Sequence, residues 1–275
     1  MSMAMLLDIS KCTACRGCQA ACKEWNDLNA VSTYQQGTYQ NPPALNPTTY
    51  TLIEFIEHED KNGQFAWTFF NKRCLHCTQA ACVDVCPTEA LKHDAMGFVS
   101  LEQDLCNGCG YCAEACPFGV PKLDVKNVLT GEAKATKCNF CQDRMHNDLV
   151  PACAKACPTG AIAFGEREEL VATGRQRVSQ LKTEGYAEAR LYGETELGGL
   201  GQMYVLPQQA SFFGLPEDPQ VPAVATAWQK AVQPFGYAAV GLTVLGLGFN
   251  WLAQRKNALA LLAETATPPP EKEEE

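Results

Sequence analysis

The chain contains the segment CTACRGCQAACKEWND at residues 12–27. It places four cysteines within eleven positions: Cys12, Cys15, Cys18 and Cys22. Thiols at this density indicate disulfide bonds, a zinc site or an iron–sulfur cluster. The other cysteines of the chain distinguish among these three explanations.

The 16 cysteines of the chain fall into four groups of four, with none left over. The spacings are C-x2-C-x2-C-x3-C, C-x2-C-x4-C-x3-C, C-x2-C-x2-C-x3-C and C-x2-C-x11-C-x3-C. The members are Cys12, Cys15, Cys18 and Cys22; Cys74, Cys77, Cys82 and Cys86; Cys106, Cys109, Cys112 and Cys116; and Cys138, Cys141, Cys153 and Cys157. Pro87, Pro117 and Pro158 follow the last cysteine of the second, third and fourth groups, whereas Lys23 follows the first.

These spacings are typical of bacterial ferredoxin motifs. Three cysteines of each tight loop curl around one [4Fe–4S] cube, and the fourth ligates the cube of a partner motif, so motifs work in pairs. Four motifs therefore predict four [4Fe–4S] clusters, with all sixteen cysteines as iron ligands. A zinc-binding structural or regulatory protein stays as an alternative. Only the fourth group resembles a zinc spacing, and its C-x3-C-P end does not suit one.

The formal net charge of −9 argues against nucleic acid as a partner. The N-terminus MSMAMLLDISKC has no basic start, and Asp8 interrupts its apolar run, so we expect no secretion signal of its own. The sequence also has no Gly-rich nucleotide loop, triad signature or facial metal triad. These features predict an electron carrier and no catalytic site.

We expect an α+β fold with two tandem ferredoxin-like 2[4Fe–4S] modules, one inserted in the other. The inner module is residues 74–126, and the outer module is residues 1–22 with 127–165. Turn residues at Gly97 and at Thr130-Gly131 each predict a hairpin. Residues 23–73 form an insertion that contains a proline-rich loop and a β-hairpin with its turn at Asn62-Gly63.

The C-terminal part of the chain changes in composition. Residues 166–230 predict an amphipathic helix followed by an extended strap rich in Gly and Pro. Residues 231–254 carry no charge and, as a helix, span the roughly 30 Å core of a bilayer. Arg255 and Lys256 follow this span, which favours a cytoplasmic C-terminus with the cluster domain outside. Residues 255–275 are expected to be a disordered tail.

An alternative for the apolar segment is a helix that packs on protein in a soluble, cytoplasmic partner subunit. Several single residues near the cysteines have two explanations each. Cations beside a cluster either raise its reduction potential or balance the negative charge of the cluster core. His76 either changes the potential of a neighbouring cluster or only packs against other side chains. Trp25 is expected to pack against other side chains. The cations are Lys72, Arg73, Lys137 and Arg144.

The chain resembles the beta subunit of membrane-bound formate dehydrogenase, within the four-cluster iron–sulfur subunits of molybdopterin oxidoreductases. The resemblance covers nearly the whole chain. The segments that carry it are CTACRGCQAACKEWND, CNGCGYCAEACPFGVPKLD, KCNFCQDRM, PACAKACPTGAIAFG and GLPEDPQV, the last before the single apolar span.

The resemblance implies a large catalytic partner with a molybdenum or tungsten pterin and a membrane cytochrome b that reduces quinone. It also implies the cysteine sets of the four clusters. They are Cys12, Cys15, Cys18 and Cys157 for cluster 1; Cys74, Cys77, Cys82 and Cys116 for cluster 2; Cys106, Cys109, Cys112 and Cys86 for cluster 3; and Cys138, Cys141, Cys153 and Cys22 for cluster 4.

The resemblance further implies a location at the cytoplasmic (inner) membrane, with the cluster domain on the periplasmic side. A catalytic partner with a twin-arginine signal would carry the folded subunit across. The nearest alternative is the equivalent subunit of another molybdopterin reductase or hydrogenase complex, which shares every cluster ligand.

Overall fold

The computed structural model describes residues 2–60, 63–223, 227 and 231–265. The chain divides into two units, Met1–Thr226 and Ala227–Glu275. Every cysteine lies in the first unit.

A four-stranded mixed sheet organises the first unit. Its strands are β1 (Met3–Asp8), β8 (Ile162–Glu166), β9 (Arg190–Tyr192) and β10 (Gln202–Leu206). They lie in the order β8-β1-β10-β9, with β1 and β10 parallel and the other two pairs antiparallel. The sheet therefore joins the beginning of the chain to segments that follow the fourth cysteine motif.

The two faces of this sheet pack against different layers. Alternate residues of a strand point to opposite faces, so Leu6 contacts the helix α6 (Arg167–Thr183) while Met5 and Leu7 join the main core. The main core also contains Phe98 and Phe140, both without exposed surface. Several cysteines border this core, so one face of the sheet packs against the cysteine loops.

Three antiparallel hairpins extend from this core. They are β2 (Thr51–Glu59) with β3 (Phe65–Arg73), β4 (Leu91–His93) with β5 (Val99–Leu101), and β6 (Lys122–Asn127) with β7 (Glu132–Thr136). The hairpins predicted at Gly97 and Gly131 are confirmed, as are the strands on both sides of the Asn62-Gly63 turn. Asn62 itself lies outside the described residues.

Short helices follow the cysteine loops. They are α1 (Gly17–Trp25), α2 (Ala81–Asp84), α3 (Tyr111–Ala115), α4 (Gln142–Met145) and α5 (Ala152–Lys155). Helix α1 contacts α5, and α2 contacts α3. The first cysteine motif thus meets the fourth, and the second meets the third.

The segment expected to be an extended strap differs from that expectation. It contains β9 and β10, and all five residues of β10 are buried in the sheet. Hydrogen bonding to β1 gives β10 a regular strand conformation, because a buried backbone must satisfy its polar groups.

The second unit contains one long helix, α7 (Gln233–Thr265). Among the described residues, Gln233–Leu259 forms the one helix long and apolar enough to cross a membrane, with a mean hydropathy of 1.4. Helix α7 continues beyond residue 254, so residues 255–265 are helical and not the start of a disordered tail. The tail residues 266–275 lie outside the described residues.

Candidate metal centres

The structure brings together cysteines that are far apart in sequence. One cavity is lined by Cys12, Cys15, Cys18 and Cys157, which is the set expected for cluster 1. Another is lined by Cys86, Cys106, Cys109 and Cys112, the set expected for cluster 3. All sixteen cysteines are free of disulfide bonds.

The two remaining sets also lie together, as their mutual electrostatic effects indicate. Burial raises the pKa of the Cys77 thiol, and the thiols that add to this effect are Cys74, Cys116 and Cys82. Burial likewise raises the pKa of the Cys22 thiol well above its usual value, and the thiols that add to it are Cys138, Cys153 and Cys141. Each neighbourhood matches one expected set, cluster 2 and cluster 4 respectively.

The four sets form a row. Burial raises the pKa of Cys18 to about 11, and Cys153 of the cluster 4 set contributes. Burial raises the pKa of Cys138 to about 11, and Cys74 of the cluster 2 set contributes most among the thiols. Burial raises the pKa of Cys82 to about 12, and Cys112 of the cluster 3 set contributes. The thiol sets expected for the four clusters therefore adjoin in the order cluster 1, cluster 4, cluster 2, cluster 3.

The exposed thiols lie at the two ends of this row. Of the sixteen cysteines, all of which the structure describes, only Cys15 and Cys109 are exposed. Cys15 belongs to the cluster 1 set, and Cys109 belongs to the cluster 3 set. In the middle of the row, the cluster 4 thiols are all buried and the cluster 2 thiols are buried or partly buried, whereas each end has an exposed thiol.

A shared backbone conformation positions the first thiol of each loop. The residue before the second cysteine has a left-handed conformation in all four loops, with φ of 54° at Ala14, 49° at His76, 74° at Gly108 and 62° at Phe140. Its N–H donates to the thiol of the first cysteine of the loop. Only Gly108 adopts this φ without the steric cost of a Cβ, which is about 1–2 kcal/mol.

The thiol sets fit a group that carries positive metal ions. Buried thiolates clustered together are destabilised by desolvation and by like charge, which is why burial raises the pKa of the Cys141 thiol to about 12 and of Cys112 to about 11. Iron ions remove both penalties. Among the described residues, no three His, Cys, Asp or Glu side chains converge closely enough for a single metal ion. The four thiolates of a cube each bind a different iron.

Three buried polar side chains contact thiols of the sets expected for clusters 1 and 4. Arg73 Nη1 lies 3.2 Å from Cys153 Sγ. Asn71 Nδ2 donates to Cys18 Sγ at 3.2 Å, and Gln202 Nε2 lies 3.8 Å from Cys138 Sγ. N–H groups directed at cluster sulfurs favour the reduced, more negative state.

Lys137 and His76 are buried at the junction between clusters 2 and 4. Lys137 Nζ donates to the carbonyl oxygens of Val99 at 2.7 Å and Cys138 at 2.9 Å. His76 Nδ1 accepts the N–H of Val99, and its ring packs edge-on against Phe140 at 4.9 Å. Burial lowers the pKa of His76 well below its usual value, and the cations Lys137 and Arg73 lower it further. His76 is therefore a neutral, packed side chain.

The other cations near the cysteines have different surroundings. Lys72 is partly exposed and pairs with Glu54 at 3.2 Å. The Arg144 guanidinium lies over the Trp25 ring at 4.2 Å, and the Trp25 indole donates to Asp143 at 3.0 Å. Trp25 is 42% exposed, and these two contacts connect the first motif to the helix after Cys141.

Sequence reasoning did not single out Asn71 or Gln202. Each is a polar residue within an apolar strand segment, TFFNKR or QMYVL. That pattern is the available signal, because an amide at such a position is costly to bury without a partner. Their thiol partners follow only from the fold.

Comparison with known proteins identifies the domains that contain these cysteines. Two family models, both described as "4Fe-4S dicluster domain", match residues 11–90 and 65–167. The chain is 37% identical to "Formate dehydrogenase, nitrate-inducible, iron-sulfur subunit" of Escherichia coli (strain K12) over 91% of this chain and 84% of that protein.

Two further relatives carry different names. "Formate dehydrogenase 2 subunit beta (cytochrome c-553)" of Nitratidesulfovibrio vulgaris is 41% identical over 66% of this chain and 85% of that protein. "Hydrogenase-2 operon protein HybA" of Escherichia coli O157:H7 is 35% identical over 65% of this chain and 56% of that protein. The chain therefore belongs to the family of formate dehydrogenase iron–sulfur subunits and is a non-catalytic electron-transfer subunit with two tandem dicluster domains and four [4Fe–4S] clusters.

Proposed function

We propose that this chain conducts electrons from a formate-oxidising catalytic subunit to a membrane cytochrome b that reduces quinone. The catalytic partner carries a molybdenum or tungsten pterin. The observation that carries the proposal is the continuous row of four thiol sets with exposed thiols at its two ends only, Cys15 and Cys109. A row of this kind connects two docking partners, one at each end.

The ligand sets of the four clusters are part of the proposal. They are Cys12, Cys15, Cys18 and Cys157 for cluster 1; Cys74, Cys77, Cys82 and Cys116 for cluster 2; Cys106, Cys109, Cys112 and Cys86 for cluster 3; and Cys138, Cys141, Cys153 and Cys22 for cluster 4. The two lined cavities and the thiol neighbourhoods support these sets.

One ferredoxin-like module is inserted in the other. Residues 1–22 and 127–165 form the outer module with clusters 1 and 4, residues 74–126 form the inner module with clusters 2 and 3, and residues 23–73 are an insertion. The contact of α1 with α5 and the pairing of β1 with β8 support the outer module. The contact of α2 with α3 supports the inner one.

The residues of the chain keep the clusters close together and dry. A bound [4Fe–4S] cluster accepts and releases one electron at a time. The residue before the second cysteine of each loop directs its N–H at a thiol, and the apolar core around Phe98 and Phe140 packs beside the middle of the row. A dry environment reduces the solvent reorganisation that accompanies each change of charge.

Helix α7 is proposed as a single-pass anchor in the cytoplasmic membrane. Its length, its mean hydropathy of 1.4 and its exposed side chains support a bilayer location. We place the cluster domain on the periplasmic side, because Arg255 and Lys256 follow the apolar span. Export then takes place together with a partner that bears a twin-arginine signal.

The first test removes one ligand of an end cluster in the intact complex. Cys106→Ser should damage cluster 3 and block formate-dependent quinone reduction, while formate still reduces an artificial dye at the catalytic subunit. Ala172→Ser, at an exposed position of α6, is the matched control. Quinone reduction at the parent rate in Cys106→Ser would contradict the proposed path.

The second test concerns the anchor. A chain that ends after Lys230 should appear in the soluble fraction when expressed without the cytochrome partner, whereas the full chain should resist carbonate extraction. Carbonate release of the full chain would instead favour a helix that packs on protein.

A second candidate partner is a hydrogenase, because a hydrogenase-2 operon protein is among the relatives. The cluster ligands are common to both complexes, so this chain alone does not separate them. An assay of the purified native complex separates them. Dye reduction with formate and not with hydrogen supports the formate-oxidising partner, whereas dye reduction with hydrogen and not with formate supports a hydrogenase.

A further inference from the structure

A guanidinium is buried among the thiols of the outer clusters without a carboxylate partner. Arg73 is 1% exposed, and among the described residues no Asp or Glu forms an ion pair with it. An unpaired charge inside a protein is costly, so it normally neutralises or finds a partner. The arginine does not lose its proton, and its counter-charges here are thiolates.

Arg73 fixes the orientation of two neighbouring amides. Its Nε–H donates to Asn71 Oδ1 at 2.7 Å, and its Nη1 lies 3.4 Å from Gln202 Oε1. Because each amide oxygen faces the guanidinium, each amide nitrogen is turned away from it, towards Cys18 Sγ and Cys138 Sγ. Asn71 and Gln202 are as buried as Arg73, at 4% and 0% exposure.

The three side chains thus deliver N–H groups to both outer clusters. Arg73 reaches Cys153 and Gln202 reaches Cys138 in the cluster 4 set, and Asn71 reaches Cys18 in the cluster 1 set. Arg73 Nη2 has no hydrogen-bond partner among the described residues, so its N–H groups remain available to an acceptor that the protein does not supply. The sulfides of a cluster are acceptors of this kind.

Arg73 lies next to a cluster ligand of the inner module, although its side chain contacts thiols of the outer module. Arg73 directly precedes Cys74, a ligand of cluster 2. Alternation along β3 places Arg73 and Asn71 on one face, and that face is directed at the thiols of clusters 1 and 4. The neighbouring Lys72 points to the opposite face, towards Glu54.

We propose that Arg73, together with Asn71 and Gln202, is a fixed positive site that raises the reduction potentials of clusters 1 and 4. The inference rests on the ligand sets given under the proposed function. Reduction adds one negative charge to a cluster, and a desolvated cation in contact with its ligands stabilises that charge. Arg73 acts through the thiolates and is a positioning and tuning residue.

The test is a redox titration of the purified complex with dithionite, followed by electron paramagnetic resonance. Arg73→Gln should lower the reduction constants of clusters 1 and 4 at least tenfold, which is about 59 mV for a one-electron couple. Clusters 2 and 3 should keep their potentials. Lys72→Gln removes the same charge one residue earlier and is the matched control, with no shift expected.

Ligand variants assign the paramagnetic signals to individual clusters, so that an error in the ligand sets can be distinguished from an error in the role of Arg73. Cys15→Ser should alter the cluster 1 signal and Cys109→Ser the cluster 3 signal. If Cys15→Ser alters the cluster 3 signal, or Cys109→Ser alters the cluster 1 signal, the proposed ligand sets are wrong. If the sets stand and Arg73→Gln leaves clusters 1 and 4 unchanged, or shifts only clusters 2 and 3, the tuning inference is overturned.

A second variant decides the case in which Arg73→Gln loses iron. Gln202→Met retains the cation and removes one N–H from Cys138. With a full iron content, it should lower the potential of cluster 4 and leave cluster 1 unchanged. Equal potentials of cluster 4 in Gln202→Met and the parent complex would refute the inference.

Discussion

The outer and inner pairs of cluster sites share a motif and differ in their surroundings. In the outer pair, side chains from β3 and β10 donate to Cys18, Cys138 and Cys153. In the inner pair, Cys106 receives backbone N–H groups from Gly108 and Ala135, at 3.4 Å and 3.3 Å. The loops therefore supply similar ligands, and more remote segments supply different electrostatic environments.

Cysteine spacing and cluster potential are therefore separate properties of this chain. Spacing is local and determines which thiols bind iron. The potential depends on hydrogen bonds and charges near the sulfurs, and those come from strands elsewhere in the fold. We therefore expect clusters 1 and 4 to be reduced before clusters 2 and 3.

Loss of the contact between the two pairs should have the largest effect. Phe98, from the inner part, stacks on Phe140, from the fourth motif, with ring centroids 5.3 Å apart and planes 4° apart. Neither ring is exposed. Phe98→Ala should cost about 3–5 kcal/mol, because it leaves a cavity in the core.

The measurement for Phe98→Ala is the guanidinium concentration at which half of the cluster absorbance is lost. Phe65→Ala is the control, since Phe65 is 67% exposed on the β2–β3 hairpin. An equal guanidinium midpoint for Phe98→Ala and Phe65→Ala would mean that the stability of the two cluster pairs does not depend on the Phe98–Phe140 contact.

Local patterns predicted the local parts of this structure. Turn residues predicted the hairpins at Gly97 and Gly131, because a tight turn depends on few neighbours. The cysteine spacings predict three ligands of each cluster from one short loop, and the assignment of iron to these thiols stays a prediction. The buried state of Lys137 and Arg73 did not follow from the sequence, because flanking position alone does not distinguish a buried cation from a partly exposed one such as Lys72.

Non-local pairing accounts for what the sequence did not predict. Strand β10 follows a Gly-rich segment and has only five residues, and its conformation depends on β1 at the other end of the first unit. The partners of Gln202 depend on this pairing. Its role as a donor to Cys138 therefore appears only when the fold is known.

The second prediction concerns the loop of the third motif. Gly108 has a φ of 74°, and a Cβ at this position would overlap the carbonyl oxygen of Ala133 in β7. Gly108→Ala should displace β7 or the loop, so that cluster 3 alone is lost and the iron content falls by about a quarter. Iron and sulfide analysis of the purified complex measures this.

Gly131→Ala is the control for Gly108→Ala. Gly131 has a φ of 70°, and a Cβ added to it would meet no other atom within 4 Å. This control has the backbone strain without the overlap, so it should keep all its iron. A full iron content in Gly108→Ala would show that the loop of the inner pair tolerates the same residue as the outer loop.

The third prediction addresses Lys137, the buried cation between the cluster 2 and cluster 4 sets. Burial raises the pKa of the Cys74 thiol, and Lys137 is the strongest influence that opposes the rise. Lys137→Gln should lower the potential of cluster 2, but by less than Arg73→Gln lowers that of cluster 4. The reason is that Lys137 Nζ donates to two carbonyl oxygens and not to a thiol.

The same redox titration measures the effect of Lys137→Gln. Lys92→Gln is its control, because Lys92 is exposed and pairs with Glu102 on the surface. A shift of cluster 2 as large as that caused by Arg73→Gln at cluster 4 would show that direct N–H contact with sulfur is not what separates the two pairs.

The smallest effect is expected at Ala14, the position in the first motif that corresponds to Gly108. Ala14 has a φ of 54° and donates its N–H to the Cys12 thiol. Ala14→Gly relieves a left-handed strain of about 1 kcal/mol, and the greater freedom of glycine in the unfolded chain offsets it by about 0.5–1 kcal/mol. The guanidinium midpoint and the iron content should therefore stay close to those of the parent. A clear loss of cluster 1 in Ala14→Gly would show that the outer loop needs the alanine side chain, so that the two loops would differ in packing as well as in the charges around them.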